Sequence, residues 1–145
     1  MIKAGNVYSL FYSSSGTQTT TKKLLLDKKG VLKDKHYDKS IERSVLITSL
    51  DSYTVLKKEG IGMAYGSLGE NLLIDYNPYH LELGTRLKIG SVILEISVHC
   101  TLCKSLSKVD NKIPKLLKND RGIFAKVIQH GCIEEGDDIY LYSDS

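Results

Sequence analysis

The chain has 145 residues, of which 41% are hydrophobic and 26% are charged, with only two prolines. This length suits one domain with a real core, and the composition is that of an ordinary globular protein rather than a disordered or fibrous one. The net charge of +3 is carried mainly by lysines interspersed with acidic residues. Because this charge is small and mixed in sign, it gives no support to nucleic-acid binding. From the length we expect a single domain over residues 1–145.

The first sixty residues predict three strands and one helix. Each strand is a short run of apolar or β-branched residues bounded by polar residues or glycine. The helix is capped by Ser49 or Asp51 and stops at Gly60, after the basic pair Lys57 and Lys58. In chain order, the predictions are a strand over 2–12, a loop over 13–21, a strand over 24–26, a turn over 27–30, a strand over 44–48 and a helix through residue 58.

Beyond Gly60 the sequence predicts mainly strands, separated by glycine turns. A short helix is predicted to begin near Pro114. Many short strands with one or two short helices indicate a mainly β (α+β) fold, a closed or partly open β-barrel. The predicted strands cover residues 71–74, 86–89, 92–98, 124–129 and 138–142, and the predicted turns lie at Gly84, Gly90, Gly131 and Gly136.

The sharpest local feature is the C-x-x-C pair of Cys100 and Cys103, which follows a predicted strand. Two thiols at this spacing can share a metal ion or exchange redox equivalents. A structural zinc site needs four ligands, and the nearest further candidates are His99, His130 and Cys132. Zinc on the three cysteines is therefore one hypothesis. The alternative for Cys132 is a buried, small apolar side chain.

A second feature is the pair of glycines Gly66 and Gly69, followed directly by Glu70 and Asn71 at the start of an apolar strand. Glycines at this spacing predict a tight turn that presents the carboxylate and the carboxamide to one place. The alternative is that both side chains only cap the turn and form local hydrogen bonds.

A third feature is a polar cluster after the turn at Gly30, in which Asp34 and His36 lie two residues apart. An aspartate and a histidine at this spacing can act together as an oriented base or a ligand pair. The alternative is a solvated loop. The sequence contains neither a Rossmann nor a Walker phosphate loop.

Taken together and in order, these segments resemble the MOSC family, named for the C-terminal domain of molybdenum cofactor sulfurase. Residues 24–36 are similar to the family's strand with its GD-x-H element, and residues 66–72 are similar to its G-x-FGENL signature. The resemblance covers nearly the whole chain, and the ordered combination is more specific than any one motif. The remaining matching segments are 44–47, 83–97, 99–106, 121–127 and 131–137.

The resemblance implies a barrel-like β fold that binds a molybdenum or tungsten pterin cofactor. Cys103 matches the family's near-invariant cysteine, which implies a metal ligand or a sulfur carrier, and Lys104 beside it would favour the thiolate. The implied activities are reduction of N-hydroxylated compounds or sulfur transfer to the cofactor, with a redox partner or a sulfur donor protein. The cofactor-binding residues implied are Gly69, Glu70, Asn71, Asp34, His36 and Lys104.

Two departures from the family pattern lie beside the cysteine. Short members often carry arginine and proline ahead of it, whereas this chain has Cys100 and Leu102 in that stretch. The lost arginine removes a contact to an anionic cofactor, and Cys100 can resolve a persulfide or an oxidised Cys103. The alternative function is therefore a non-enzymatic binding or regulatory module with the MOSC fold, with zinc on Cys100, Cys103 and Cys132.

The N-terminal residues lack the apolar run and the cleavage site of a signal peptide, and no segment has the length of a membrane span. We therefore expect a cytoplasmic protein whose partners include neither a membrane nor nucleic acid. An odd number of cysteines agrees with a reducing compartment. An oligomer is compatible with the sequence.

Overall fold

The computed structural model describes residues 1–14, 16–99, 110, 112–117 and 121–142. Within these ranges the chain forms eleven strands, two short α-helices and one 3-10 turn, Ile41–Arg43. The predicted mainly β fold with one or two short helices is confirmed. The elements are β1 (Ile2–Ser14), β2 (Thr17–Thr21), β3 (Lys23–Asp27), β4 (Gly30–Val31), β5 (Val45–Ser49), α1 (Leu50–Lys58), β6 (Leu72–Ile74), β7 (Arg86–Ile89), β8 (Val92–His99), α2 (Ile113–Leu116), β9 (Ile123–Gln129), β10 (Gly131–Glu134) and β11 (Asp138–Leu141).

Seven of the described strands close into a barrel in the order β11, β7, β8, β9, β5, β6 and β1, and the pairing of β1 with β11 completes the ring. Their pairings are antiparallel except that of β5 with β6, which is parallel. The β2 strand pairs alongside the C-terminal residues Leu10–Ser14 of β1, and β10, β3 and β4 form a separate small sheet. Closure leaves the seven barrel strands with few free edges.

Apolar side chains fill two regions on opposite sides of the barrel wall. In β6, Leu72 and Ile74 belong to the interior core, whereas Leu73 faces an outer cluster that includes Leu56 of α1 and Ile113 of α2. Successive side chains on a strand point to opposite faces, so β6 needs apolar residues at every position once helices cover its outer face. This double coverage explains why β5 and β6 are buried along their whole length.

Helix α1 runs from Leu50 to Lys58 and packs its buried face, which includes Ser52, Tyr53 and Leu56, against the outer side of the barrel. Asp51 in its first turn and two lysines in its last turn suit the helix dipole. The predicted helix is therefore confirmed. Within the part of the chain that the structure describes, no helix is long and apolar enough to cross a membrane.

Two sequence predictions in the strand assignment are wrong. The predicted loop over 13–21 contains β2, because a run of β-branched threonines pairs along one edge with residues Leu10–Ser14 of β1. The predicted turn at Gly131 is the start of β10, which pairs with β3. Both strands lie outside the barrel ring and pair across long sequence separations or at an edge, where local patterns are weak.

Candidate functional site

The carboxylate of Glu70 is buried under α1, and its exposed fraction is 0%. Its Oε2 accepts hydrogen bonds from Thr48 Oγ1 at 2.7 Å and from the Tyr53 hydroxyl at 2.5 Å. Its main-chain carbonyl accepts a hydrogen bond from Gln18 Nε2 at 2.6 Å. Oε1 has no hydrogen-bond partner among the described residues. Glu70 is thus held rigidly by one oxygen and presents the other as an unsatisfied acceptor.

Tyr53 connects Glu70 to the glycine turn that precedes it. Its hydroxyl accepts hydrogen bonds from the N–H groups of Gly66, at 3.0 Å, and Leu68, at 3.4 Å, while it donates to Glu70. Burial, then the charge of Glu70 and the hydrogen bond to it, raises the pKa of Tyr53 far above its usual value. The phenol therefore stays protonated and acts as a donor to the carboxylate.

Asn71 points away from Glu70, as expected for adjacent residues entering a strand. Its Oδ1 accepts the Leu46 N–H at 3.1 Å, and its Nδ2 donates to the Phe11 carbonyl at 3.2 Å and to Asp34 Oδ1 at 3.3 Å. The prediction that the turn presents Glu70 and Asn71 to one place is therefore wrong. Asn71 ties together β5, β1 and the loop after β4, which fixes the position of the turn.

The structure brings Asp34 and His36 together. The buried Asp34 accepts the Ser13 N–H on Oδ1 at 2.7 Å, and its Oδ2 accepts the His36 N–H and lies 3.0 Å from His36 Nδ1. Burial raises the pKa of Asp34, but hydrogen bonds from the His36 ring and from the two N–H groups outweigh it and leave the pKa below its usual value. The His36 side chain is 55% exposed, so this carboxylate orients a ring that faces solvent. Gly69 is also exposed, in the turn before Glu70.

Arg121 is a buried charged residue that the sequence did not single out. Its side chain is almost wholly enclosed, with 4% of the residue exposed. Nη2 donates to the Leu68 carbonyl at 3.3 Å, whereas Nε and Nη1 find no partner within the described ranges. The one sequence signal for Arg121 was its position in the segment 121–127, which resembles the family. That the residue is buried depends on the tertiary structure, so the sequence could not show it.

Gly122 explains how Arg121 reaches this position. Its φ of +120° lies in a region that side chains disfavour, and a Cβ there would come within 2.7 Å of the Ile47 carbonyl oxygen and 3.0 Å of a Thr48 methyl group. The chain entering β9 therefore runs tightly against β5. Arg121 is placed next to the strand that supplies Thr48, the hydrogen-bond donor to Glu70.

The predicted site residues Cys103 and Lys104, together with Cys100, lie outside the described residues. His99, the last residue of β8, pairs with Ile123, two positions after Arg121. Cys132 is a partly buried free thiol on β10. Residues 1–14, 16–99, 110, 112–117 and 121–142 contain no group of three or more His, Cys, Asp or Glu side chains able to hold a metal ion. The zinc set, which needs Cys100 and Cys103, stays a prediction.

Comparison with known proteins identifies relatives of this architecture. A family model described as the MOSC domain matches residues 28–140. The YuaD protein from Bacillus subtilis superposes with a TM-score of 0.84 at 17% identity, covering 97% of both chains. YiiM from Escherichia coli gives 0.73 at 18% identity over 97% of this chain and 71% of that one. YiiM from Geobacillus stearothermophilus superposes with a TM-score of 0.67 at 16% identity, covering 97% of this chain and 74% of that one. At these identities the structures establish the fold; no curated protein matches the sequence.

Proposed function

The chain belongs to the MOSC domain family, and from this premise we propose that it binds a molybdenum or tungsten pterin cofactor, with Cys103 as the metal ligand or sulfur carrier. The observation that carries the proposal is the open Oε1 of Glu70, a buried acceptor held in place through its other oxygen. A buried polar atom without a partner is strongly unfavourable, so a site that retains one is suited to a ligand that supplies the missing group.

The chemistry of a pterin fits the atoms that this part of the chain leaves open. A pterin ring carries N–H donors beside a carbonyl acceptor, and the cofactor also carries a phosphate. Among the described residues, Glu70 Oε1 is an acceptor without a donor, and Arg121 Nε and Nη1 are donors without an acceptor. A ligand with both kinds of group would satisfy both residues, whereas a purely apolar ligand would satisfy neither.

The residues around Glu70 would act as its support. Thr48 and Tyr53 fix the carboxylate, and Asn71 fixes the turn that carries it. Asp34 holds Asn71 on one side and the His36 ring on the other. We assign Glu70 to direct contact with the cofactor, Asn71 and Asp34 to positioning, and Gly69 and His36 to the rim, because both are exposed.

The metal of such a cofactor supplies two-electron redox chemistry when it is bound. The Cys103 thiolate is a soft ligand suited to it and is also a nucleophile towards sulfur, and Lys104 next to it favours the ionised thiol. Two activities agree with this arrangement: reduction of N-hydroxylated compounds with a redox partner protein, and transfer of sulfur received from a donor protein.

Metal and pterin content test the proposal. Wild-type protein, Cys103→Ser and the matched control Cys132→Ser are purified from a cofactor-producing host, and molybdenum, tungsten and released pterin are measured per chain. We expect metal and pterin in the wild type and in Cys132→Ser, and at least a tenfold loss of metal in Cys103→Ser. Equal metal in all three proteins would exclude Cys103 as the metal ligand. Wild-type protein without pterin would overturn the proposed function.

A further inference from the structure

We propose that Arg121, Ser49 and the N-terminus of α1 form a binding site for an oxyanion of the phosphate class. The starting observation is Ser49, which is the N-cap of α1 and is 2% exposed. Its side chain makes no capping hydrogen bond to the helix, and within the described part of the chain its Oγ has no partner. A buried N-cap hydroxyl that leaves the helix uncapped is available to a ligand.

The register of the barrel places Arg121 beside Ser49. Strands β5 and β9 are antiparallel, with Val45 opposite Ala125 and Ile47 opposite Ile123. Continuing the register by two residues sets Arg121 opposite Ser49. The close approach of Gly122 to the Ile47 carbonyl and to Thr48 agrees with this continuation. The backbones of Arg121 and Ser49 therefore lie opposite one another at the ends of β9 and β5, and Ser49 is also the residue from which α1 starts.

The charge at this place lacks compensation in the described residues. Arg121 makes its hydrogen bond to a neutral carbonyl, that of Leu68, and forms no ion pair with a described carboxylate within 4.0 Å. Burying an unpaired cation is unfavourable, and an anion relieves that cost. The first turn of a helix adds N–H groups and the positive end of its dipole, which bind phosphate and similar anions.

Asp51 and Glu70 are the two carboxylates to consider as partners of the Arg121 guanidinium. Asp51, in the first turn of α1, is exposed, so solvent screens its charge. Glu70 is connected to Arg121 through Leu68 and Tyr53, and its Oε2 is already engaged by two hydroxyl donors. Neither takes up Arg121 Nε or Nη1. A guanidinium offers donors in a fixed planar arrangement that matches phosphate oxygens.

The same chemistry has two sources: a phosphate monoester on the pterin cofactor, or free inorganic phosphate. The first deepens the proposed function and rests on it. In that case Arg121 would make the contact to an anionic cofactor that, in short members of the family, the arginine ahead of the cysteine would make.

The first experiment measures anion binding without the cofactor. Wild-type protein from a host that makes no cofactor is titrated with inorganic phosphate, and with chloride at equal ionic strength, while thermal unfolding is followed. Above its Kd, each tenfold increase in phosphate should raise the wild-type midpoint by about 4–6 °C. Arg121→Met should lose this increase, Arg121→Lys should keep part of it, and the matched control Arg86→Met should keep all of it, because Arg86 is half exposed and pairs with Glu95.

The inference is overturned if phosphate stabilises the wild type no more than chloride does, or if Arg121→Met responds to phosphate as the wild type does. If Arg121→Met does not fold, Arg121→Lys decides, because a phosphate response as large as that of the wild type in this variant would also overturn the inference. The second experiment measures phosphorylated pterin in the same variants from a cofactor-producing host. If the wild type responds to phosphate and Arg121→Met loses its pterin, the site binds the phosphate of the cofactor. If the wild type responds to phosphate and Arg121→Met retains its pterin, the site binds free phosphate. A phosphate response in a wild type that never contains pterin leaves this inference standing and removes the proposed function.

Discussion

The side chain of Asn71 takes the place of a main-chain carbonyl beside Leu46. The Leu46 N–H donates to Asn71 Oδ1 at 3.1 Å, and the Leu46 carbonyl accepts the Asn71 N–H at 2.9 Å. This exchange prolongs the parallel pairing of β5 and β6, which begins one residue later at Ile47 and Leu72. It holds the turn that carries Glu70 against the strand that carries Thr48. The geometry of the candidate site therefore depends on a carboxamide that need not touch the ligand.

Replacing Asn71 by alanine should destabilise the protein by about 2–4 kcal/mol, because the buried Leu46 N–H and Phe11 carbonyl would both lose a partner. Urea unfolding at neutral pH measures the loss. Gln129→Ala is the control, since that exposed carboxamide makes one hydrogen bond to the Ser91 carbonyl, and its removal should cost about 0.5 kcal/mol. Equal losses in the two variants would show that Asn71 does not fix the turn.

Tyr53 and Tyr65 contact one another edge to face, and substituting each in turn by phenylalanine tests the hydrogen bonds of the Tyr53 hydroxyl. Their ring centroids lie 4.9 Å apart, but the Tyr53 hydroxyl is buried against Glu70 whereas Tyr65 is 47% exposed. Tyr53→Phe should cost about 1–3 kcal/mol, because Glu70 Oε2 and the Gly66 N–H lose a partner inside the protein. Tyr65→Phe should change stability by less than about 0.5 kcal/mol. Thermal unfolding of both variants checks this difference, and similar midpoints would contradict the hydrogen-bond network.

The stability contributed by Asp34 should depend on pH with a defined sign. Its pKa in the folded protein lies below the usual value of 3.8, so its contribution is fully present at neutral pH and is lost as the pH falls from about 4 through the folded pKa. The difference in urea midpoint between wild type and Asp34→Asn should therefore be constant above about pH 5 and shrink below about pH 4. In His36→Ala, which removes a hydrogen bond that lowers this pKa, the folded pKa should lie closer to its unfolded value, so the acid-dependent loss should be smaller and should end at higher pH. A difference that widens on acidification would contradict the assignment.

Glu70→Gln reverses the polarity of the open atom with little change in shape. Placed with its carbonyl towards Thr48 and Tyr53, the glutamine keeps their hydrogen bonds and presents N–H donors where Oε1 was an acceptor. We expect a folded protein whose pterin content, measured after purification from a cofactor-producing host, falls at least tenfold. The control is Glu59→Gln, at the exposed C-terminus of α1, which should retain pterin. Retained pterin in Glu70→Gln would remove this carboxylate from cofactor recognition.

The sequence predicted most of the barrel strands because their apolar runs are bounded by glycines and polar turns. Val45–Ser49, Arg86–Ile89 and Val92–His99 fall within about one residue of their predicted bounds. The Thr17–Thr21 strand was missed because its stability comes from pairing with β1 rather than from an apolar pattern of its own. Gly131 was assigned to a turn, since its place opposite Leu26 depends on a pairing between distant segments.

The candidate site was predicted in part, and the reason is geometric. The sequence singled out Asp34, His36, Glu70 and Asn71, but the order of residues does not show that Glu70 and Asn71 point apart. Arg121 was not singled out because its significance comes from burial, which has no local signature for a charged residue. In the sequence, Tyr53 is one apolar position of an amphipathic helix, and only the structure shows that its hydroxyl donates to Glu70.

X-ray absorption at the metal edge tests the central claim most directly, because it counts the sulfur atoms bound to the metal. The spectra to compare are those of wild-type protein, Cys103→Ser and Cys132→Ser, each purified from a cofactor-producing host, with Cys103→Ser reconstituted if its metal content is low. Cys103 as the ligand predicts one sulfur fewer in Cys103→Ser and an unchanged sulfur shell in Cys132→Ser. The same sulfur count in all three proteins would contradict metal ligation by Cys103.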